Sequence, residues 1–345
     1  MAIDTRLNFN NLAPAARDRF LEAVLKLKAA MVPGRDFSVY DQFTALHASV
    51  MGVRAPGEAS LVNMGHQNIG FLPWHREFLR RFEKALQAQV PGVTLPYWEW
   101  PDARNGTSLF TTAGMGPSRF AQSTTGPVTG LFAFSKPAGA PAWFPAALPG
   151  WRVHVNLRLP QFGLNEILLR GSSDDDWPAA ANTIQTLENL NQTSPTANPY
   201  WAFWRFLESG ARMHNTGHNV VGGHMSNPFF SPNDPIFWLH HCYIDRVWAR
   251  WQANRRAAQA GSTFRSHYPP ASQRNPFTLS TVPNGHRIDD MMWPWVGTTP
   301  GYSPEGASPA VRAMLPTFAA ADVRRVAQTM DTQAMEGAGN GYQYS

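Results

Sequence analysis

Six histidines fall into two groups of three along this chain: His47, His66 and His75, then His214, His218 and His241. Neutral imidazole is a common metal ligand, and three of them suffice to hold one transition-metal ion. The second group carries the sharper signal. His214 and His218 stand at i and i+4 in M-H-N-T-G-H-N, so a helix would project both rings from one face. His241 follows in P-N-D-P-I-F-W-L-H-H-C-Y-I-D-R-V-W, at the start of another helical stretch. No carboxylate belongs to either group. Di-iron bundles use glutamates with Glu-x-x-His pairs. Hydrolytic zinc sites usually include a carboxylate or thiolate, or keep a water position. Six imidazoles suit a pair of copper ions better, because imidazole binds copper in both of its redox states.

Groups so far apart in sequence must be brought together by one fold. The spacing predicts helices over residues 14–31, 36–51, 73–89, 199–222 and 240–259, with a shorter one near 319–330. Pro14 and Pro73 fall in first turns, and Val32-Pro33-Gly34 and Val90-Pro91-Gly92 are stops. Between about 101 and 195 the chain is rich in Gly, Pro, Ser and Thr and shows little periodicity. A short strand or helical turn is expected at 161–170, and a solvated loop at Asp174-Asp175-Asp176. Four helical segments thus carry the ligands. The expected fold is mainly α, with long loops and little β: a four-helix bundle housing a binuclear copper site.

The 345 residues, with 13 Trp and 21 Phe, can bury a large core, and nothing marks an internal boundary. One domain over 1–345 is expected. One cysteine, Cys242, excludes an internal disulfide and reads either as a small buried residue or as a copper-handling thiol beside His241. No apolar run is long enough to span a membrane, and no signal peptide is expected from the pattern of the first residues. The formal charge of +5 comes almost wholly from arginines dispersed along helices, not from a patch that would bind nucleic acid.

At these same residues the chain resembles the type 3 copper proteins, and within them the bacterial tyrosinase group. His66 to Glu83, H-Q-N-I-G-F-L-P-W-H-R-E-F-L-R-R-F-E, is similar to the copper-A signature. His214 to Trp248 is similar to the copper-B signature. Further matches are L-P-Y-W-E-W (95–100), M-W-P-W (292–295) and the terminal G-Y-Q-Y (341–344). The resemblance makes His47, His66 and His75 ligands of one copper ion, and His214, His218 and His241 ligands of the other. In F-W-L-H-H it selects His241 over His240. It also implies O2 as co-substrate, reduced at the copper pair to a bridging peroxide. That species hydroxylates monophenols beside the phenol oxygen and takes catechols on to o-quinones. A glutamate upstream of the first copper-B histidine and an asparagine directly after it hold a water that accepts the phenol proton in relatives. Here those positions are Glu208 and Asn215. Asn219, His224, Pro228 and Phe229 match or adjoin positions that shape the pocket. Some eukaryotic members tie the second copper-A histidine to a cysteine two residues earlier; Met64 stands there.

The resemblance leaves alternatives in view. An o-aminophenol or catechol oxidase without efficient monophenol activity would keep all six ligands. A haemocyanin-like oxygen carrier would be larger, with a shielding domain, and no C-terminal lid domain is expected here. A zinc hydrolase is disfavoured by the all-histidine set. Expected partners are small phenols, O2 and a copper-delivering chaperone protein. The chain is expected to be cytoplasmic, or exported with that partner. Asp234 and Asp245 are candidates either to orient ligating imidazoles or to form buried ion pairs.

Overall fold

A computed structural model describes residues 4–117, 126–171, 178–190, 199–269, 285, 287–335 and 341–345. Asp174 to Asp176 and His286 lie outside the described residues. Strand β1 (Asp4–Arg6) leads into helix α1 (Pro14–Ala29), which opens with proline at a position that needs no N–H. Helix α2 (Val39–Ser49) starts at a capping box: Ser38 Oγ accepts the Asp41 N–H, and Asp41 Oδ2 accepts the Ser38 N–H. Asp41 also pairs with Lys28, and this buried ion pair fastens α2 to α1. Helix α3 (Phe71–Gln89) begins two residues before Pro73. The proline still falls in the first turn, where its missing N–H has no intrahelical partner to lose.

Strands β2 (Gly126–Pro127) and β3 (Leu169–Arg170) pair antiparallel within the loop-rich middle of the chain. Helix α4 (Ala181–Glu188) was not expected there; Ile184 and Leu187 bury its inner face. The helix predicted over 199–222 is two, α5 (Pro199–Ser209) and α6 (His214–Val221). Arg212, at φ 61°, turns the chain between them. Helix α7 (Ile236–Ala258) starts earlier than predicted, because Asp234 Oδ1 accepts the Ile236 N–H at 3.0 Å and caps it. The helix predicted near 319–330 is two short 3-10 turns, Ala320–Asp322 and Val326–Thr329. Strand β4 (Tyr342–Tyr344) pairs parallel with β1, Arg6 opposite Tyr344.

The fold is a mainly helical bundle, and α2, α3, α6 and α7 carry five of the six histidines at its core. His66 is the exception, lying in the loop between α2 and α3 rather than on a helix. Aromatic rings fill the space between helices. Phe82 stacks on Trp238 at 3.6 Å, and Tyr40 accepts the Trp238 N–H at 2.9 Å while donating to the Pro232 carbonyl at 2.7 Å. Behind the histidines sits a buried polar hub. Arg76 donates to Asp245 at 2.5 Å, and the Tyr342 and Tyr344 hydroxyls donate to the same carboxylate. Arg6 binds Glu83 in a fork at 3.2 and 2.9 Å. Asp234 likewise binds Arg170, both contacts at 2.6 Å. Both aspartates therefore serve buried ion pairs, and Asp234 also accepts the first N–H of α7; neither accepts a hydrogen bond from a candidate ligand. Losing one partner of such a pair would strand a buried charge, at about 3–5 kcal/mol. No helix among the described residues is long and apolar enough to cross a membrane.

Candidate metal centre

The first histidine group draws on three elements. His47 lies on α2 and His75 on α3. His66 is held by its own loop, where Asn63 Oδ1 accepts the N–H groups of Gly65 at 3.2 Å and His66 at 2.9 Å. The second group is more local. His214 and His218 stand one turn apart on α6, and His241 on α7 faces them. Gly217 makes this close approach possible: a Cβ there would lie 2.2 Å from Cε1 of His240. Within each group the ring nitrogens lie within 4.8 Å of one another. The groups adjoin, with His75 stacked on His241 at 4.3 Å and His66 6.5 Å from His214.

Four of the six imidazoles have their tautomer set by acceptors. Nδ1–H of His47 donates to the Phe229 carbonyl at 3.1 Å, and that of His75 to Phe71 at 2.9 Å. His218 Nδ1–H donates to Met225 at 2.9 Å. His214 Nδ1–H donates to Asn215 Oδ1 at 2.9 Å. The partners are backbone carbonyls and an amide, not the aspartates considered from sequence. Each such bond leaves a lone pair on Nε2. Nε2 of His47 and of His75 is buried without a hydrogen-bond partner. Nε2 of His218 lies 3.0 Å from Nε2 of His214 and 3.1 Å from that of His241. Lone pairs facing each other across that distance repel, and a cation between them turns repulsion into coordination. Burial drives every one of these imidazoles towards the neutral form, His47 down to about 3 and His218 to about 4. The donor set fits a pair of copper ions.

His240 also lies beside the second group. Both its nitrogens are engaged: Nδ1 accepts the Trp100 N–H at 3.2 Å, and Nε2–H donates to the His214 carbonyl at 3.1 Å. It is thereby a prop for α6, in keeping with the choice of His241.

A pocket of about 440 Å³ opens over His66, His214 and His218. Glu208, Asn215, Asn219, Pro228 and Phe229 all line it. His224 does not. Its Nδ1 accepts the Leu169 N–H at 3.1 Å, which ties β3 to the turn that follows α6. Glu208 is buried, and burial pushes its carboxyl up to about 8, against the pull of the Gln67 N–H and the Trp204 side chain. Oε1 accepts that Gln67 N–H at 2.6 Å; Oε2 accepts no hydrogen bond of normal geometry. Gln67 is in the left-handed region at φ 54°, which aims its N–H at Glu208. Sequence reasoning missed Gln67, Asn63 and Ser226 as pocket residues. The first two had one signal available, their position beside His66; Ser226 had none.

Two adjoining sets of buried imidazoles within a helical bundle define a protein able to hold two metal ions. Comparison with known proteins narrows the class. A family model described as the common central domain of tyrosinase matches residues 37–254. The tyrosinase of Streptomyces antibioticus is 33% identical over 302 residues, covering 86% of this chain and 94% of that protein. Grixazone synthase of Streptomyces griseus is 31% identical, covering 73% of this chain and 85% of its own. The fold is shared with a polyphenol oxidase from Thermothelomyces thermophila, at a TM-score of 0.63, 19% identity, and coverage of 99% and 88% of the two chains. An octopus haemocyanin unit gives 0.54 with 17% identity, covering 99% of this chain and 68% of that one. The chain belongs to the tyrosinase family, whose hallmark is a type 3 dicopper site.

Proposed function

We propose that the six histidines hold two copper ions and that Glu208 and Asn215 adapt the site to phenols. The protein is a copper-dependent phenol oxidase of tyrosinase type. It converts monophenols and catechols to o-quinones with O2; for a monophenol, one O2 is consumed and one water released. The observation that carries the ligand set is the convergence of buried Nε2 lone pairs in two adjoining groups.

Copper, when bound, supplies the two-electron chemistry towards O2 that no side chain offers. The chain's own residues do the rest. The pocket admits a phenol from the side of His66, His214 and His218. The exposed ring of Phe229 and the thioethers of Met51 and Met225 offer an apolar surface to the aromatic ring. Asn215 accepts from His214 through Oδ1, which leaves its amide N–H groups to hold a water. Glu208 Oε2 is the acceptor for that water's proton once the phenol gives up its own. The double duty of Glu208 supports this assignment: Oε1 anchors the His66 loop while Oε2 stays open. A phenol at its ordinary pKa of about 10 needs such help near neutrality, whereas a catechol needs less.

A second function, oxidation of catechols or o-aminophenols without efficient hydroxylation, is favoured by one observation. Burial raises the Glu208 carboxyl to about 8, and a protonated acid cannot serve as base. Positive charge at the adjoining groups would lower it again. Oxygen uptake by copper-loaded protein with tyramine, a catechol and an o-aminophenol separates the two. Uptake with tyramine supports the first function; uptake with the catechol and the o-aminophenol but not with tyramine supports the second. Two copper ions per chain are expected; one ion, or firmly held zinc, would overturn the ligand set. We also assign copper loading to a delivering partner protein. What supports this is the depth of His47 and His75, which do not line the pocket. Residues 1–345 form one domain in this proposal, supported by the pairing of β1 with β4.

A further inference from the structure

The pocket over the second histidine group has a one-sided charge inventory. Its mouth is formed by Asn219 on α6, by Ser226, and by the exposed Pro228 and Phe229. Gln67, Ser209 and Asn215 are exposed beside them, and Asn63 and Ser231 lie deeper. Apart from histidines, the ionisable group in the described lining is an acid, Glu208; the described lining contains no lysine or arginine. In a chain of net charge +5, with arginines on most helices, the missing cation is a property of this pocket rather than of the molecule.

Resting on the phenol-oxidase function above, we propose that the pocket selects phenols whose para substituent is neutral or cationic and discriminates against those bearing a carboxylate. The site of about 440 Å³ takes one aromatic ring with a short tail. With the ring hydroxyl directed to the histidines, a para substituent points back to the mouth. A carboxylate there gives up part of its hydration and meets amides, a hydroxyl and an apolar rim, with no opposite charge to replace the water. An ammonium tail meets the face of Phe229, which is 44% exposed, and a ring face attracts a cation. An alkyl tail simply covers Phe229 and Pro228. Because the mouth is open to solvent, screening keeps the discrimination modest, about tenfold rather than a thousandfold.

The test uses copper-loaded protein and two matched pairs of phenols. Tyramine and tyrosine differ by one carboxylate; 4-ethylphenol and 3-(4-hydroxyphenyl)propionate differ in the same sense. Initial oxygen uptake should give a kcat/KM about tenfold higher for the first member of each pair. Anaerobic calorimetric titration, in which no turnover occurs, should give the same order of affinity. Asn219→Arg and, separately, Ser226→Arg each place a cation at the exposed mouth and should narrow both gaps at least threefold. Two positions are used so that misfolding of one variant leaves the other. Equal kcat/KM and equal affinity within each pair, or a preference for the carboxylates, overturns the proposal. If no phenol consumes oxygen, the phenol-oxidase function fails instead, and the anaerobic order of affinity alone decides the charge preference.

Discussion

The two histidine groups solve one problem in different ways. The first is assembled from a helix, a loop and a second helix, and His47 and His75 lie away from the pocket among Trp74, Phe78 and Phe237. The second takes two of its three rings from α6, a helix of 8 residues. A helix so short is not stable alone. It depends on α7, on the His240 bond to the His214 carbonyl, and on Met225 accepting from His218. His47 and His75 are thus held by packing, whereas His66 and the pair on α6 depend on a few specific polar contacts at the wall of the pocket.

The largest expected effect tests whether the groups are separable. His218→Ala should abolish oxidation and remove metal from the second group while the first, packed independently, retains its ion. Metal analysis of purified protein reads this directly. Loss of both ions would mean that the groups fold as one unit.

Next in size is the effect of Glu208→Gln. Glutamine keeps an oxygen for the Gln67 N–H and so preserves the His66 loop, but it cannot take a proton. Loss of a positioned base costs about 10²–10⁴ in rate. Other routes of deprotonation should place the monophenol loss near 10², with catechol oxidation changed much less. Equal loss on both substrates would show that the carboxylate holds the site together and is not a base for monophenols.

Gly217→Ala attacks the weaker group without touching a ligand. The new methyl would press on the His240 ring, which is wedged between Trp98, Trp100 and His214. Overpacking of this kind costs about 1–3 kcal/mol. Thermal unfolding should record it, and copper should be lost from the second group before the first. A variant with unchanged Tm and full metal content would show that α6 has slack.

Removal of metal should expose a pH dependence set by both groups. Above about pH 6.5 the imidazoles are neutral whether the chain is folded or not, and their burial has no effect on stability. Below it, unfolded imidazoles take up protons that the folded ones refuse until about 4 for His218 and about 3 for His47. The stability of the metal-free protein should therefore fall as pH drops from 6.5, and a Tm equal at pH 7.5 and 5.5 would contradict the buried, neutral state of the groups.

The difference between the groups also explains what could be read from the sequence. The i, i+4 pair of His214 and His218 is local, so its geometry is written in its spacing. His241, one residue past a look-alike, needed the resemblance, and Trp100 supplies the physical reason from far away in sequence. Helix α3 was legible from its strong apolar periodicity, and α1 from its opening proline and the Val32-Pro33-Gly34 stop that follows it. The break between α5 and α6 was not, since a single left-handed residue, Arg212, makes it and arginine carries no turn signal. His66 was legible as a member of the first group but not as a loop residue, because its loop is held by Asn63 and by the distant Glu208. The expectation for His224 failed for the same kind of reason: its partner, Leu169, is 55 residues away.

The smallest effect expected links the two groups through the rim of the pocket. The segment from Met225 to Phe229 accepts one Nδ1–H from each group, that of His218 at Met225 and that of His47 at Phe229. Asn227 holds the segment in shape, its Oδ1 accepting the N–H groups of Phe229 at 3.0 Å and Phe230 at 3.1 Å. Asn227→Ala frees the turn without removing either carbonyl. Met225 is buried and should stay in place, whereas Phe229 is exposed and should shift. The loss is of the order of one hydrogen bond, about 0.5–1.5 kcal/mol. It should fall on the first group, as a copper affinity several-fold weaker there, although Asn227 lies in sequence beside the second. Competition with a chelator, monitored separately for the two ions, provides the measurement. Weakening confined to the second group would show that sequence proximity, and not the Phe229 carbonyl, governs the coupling.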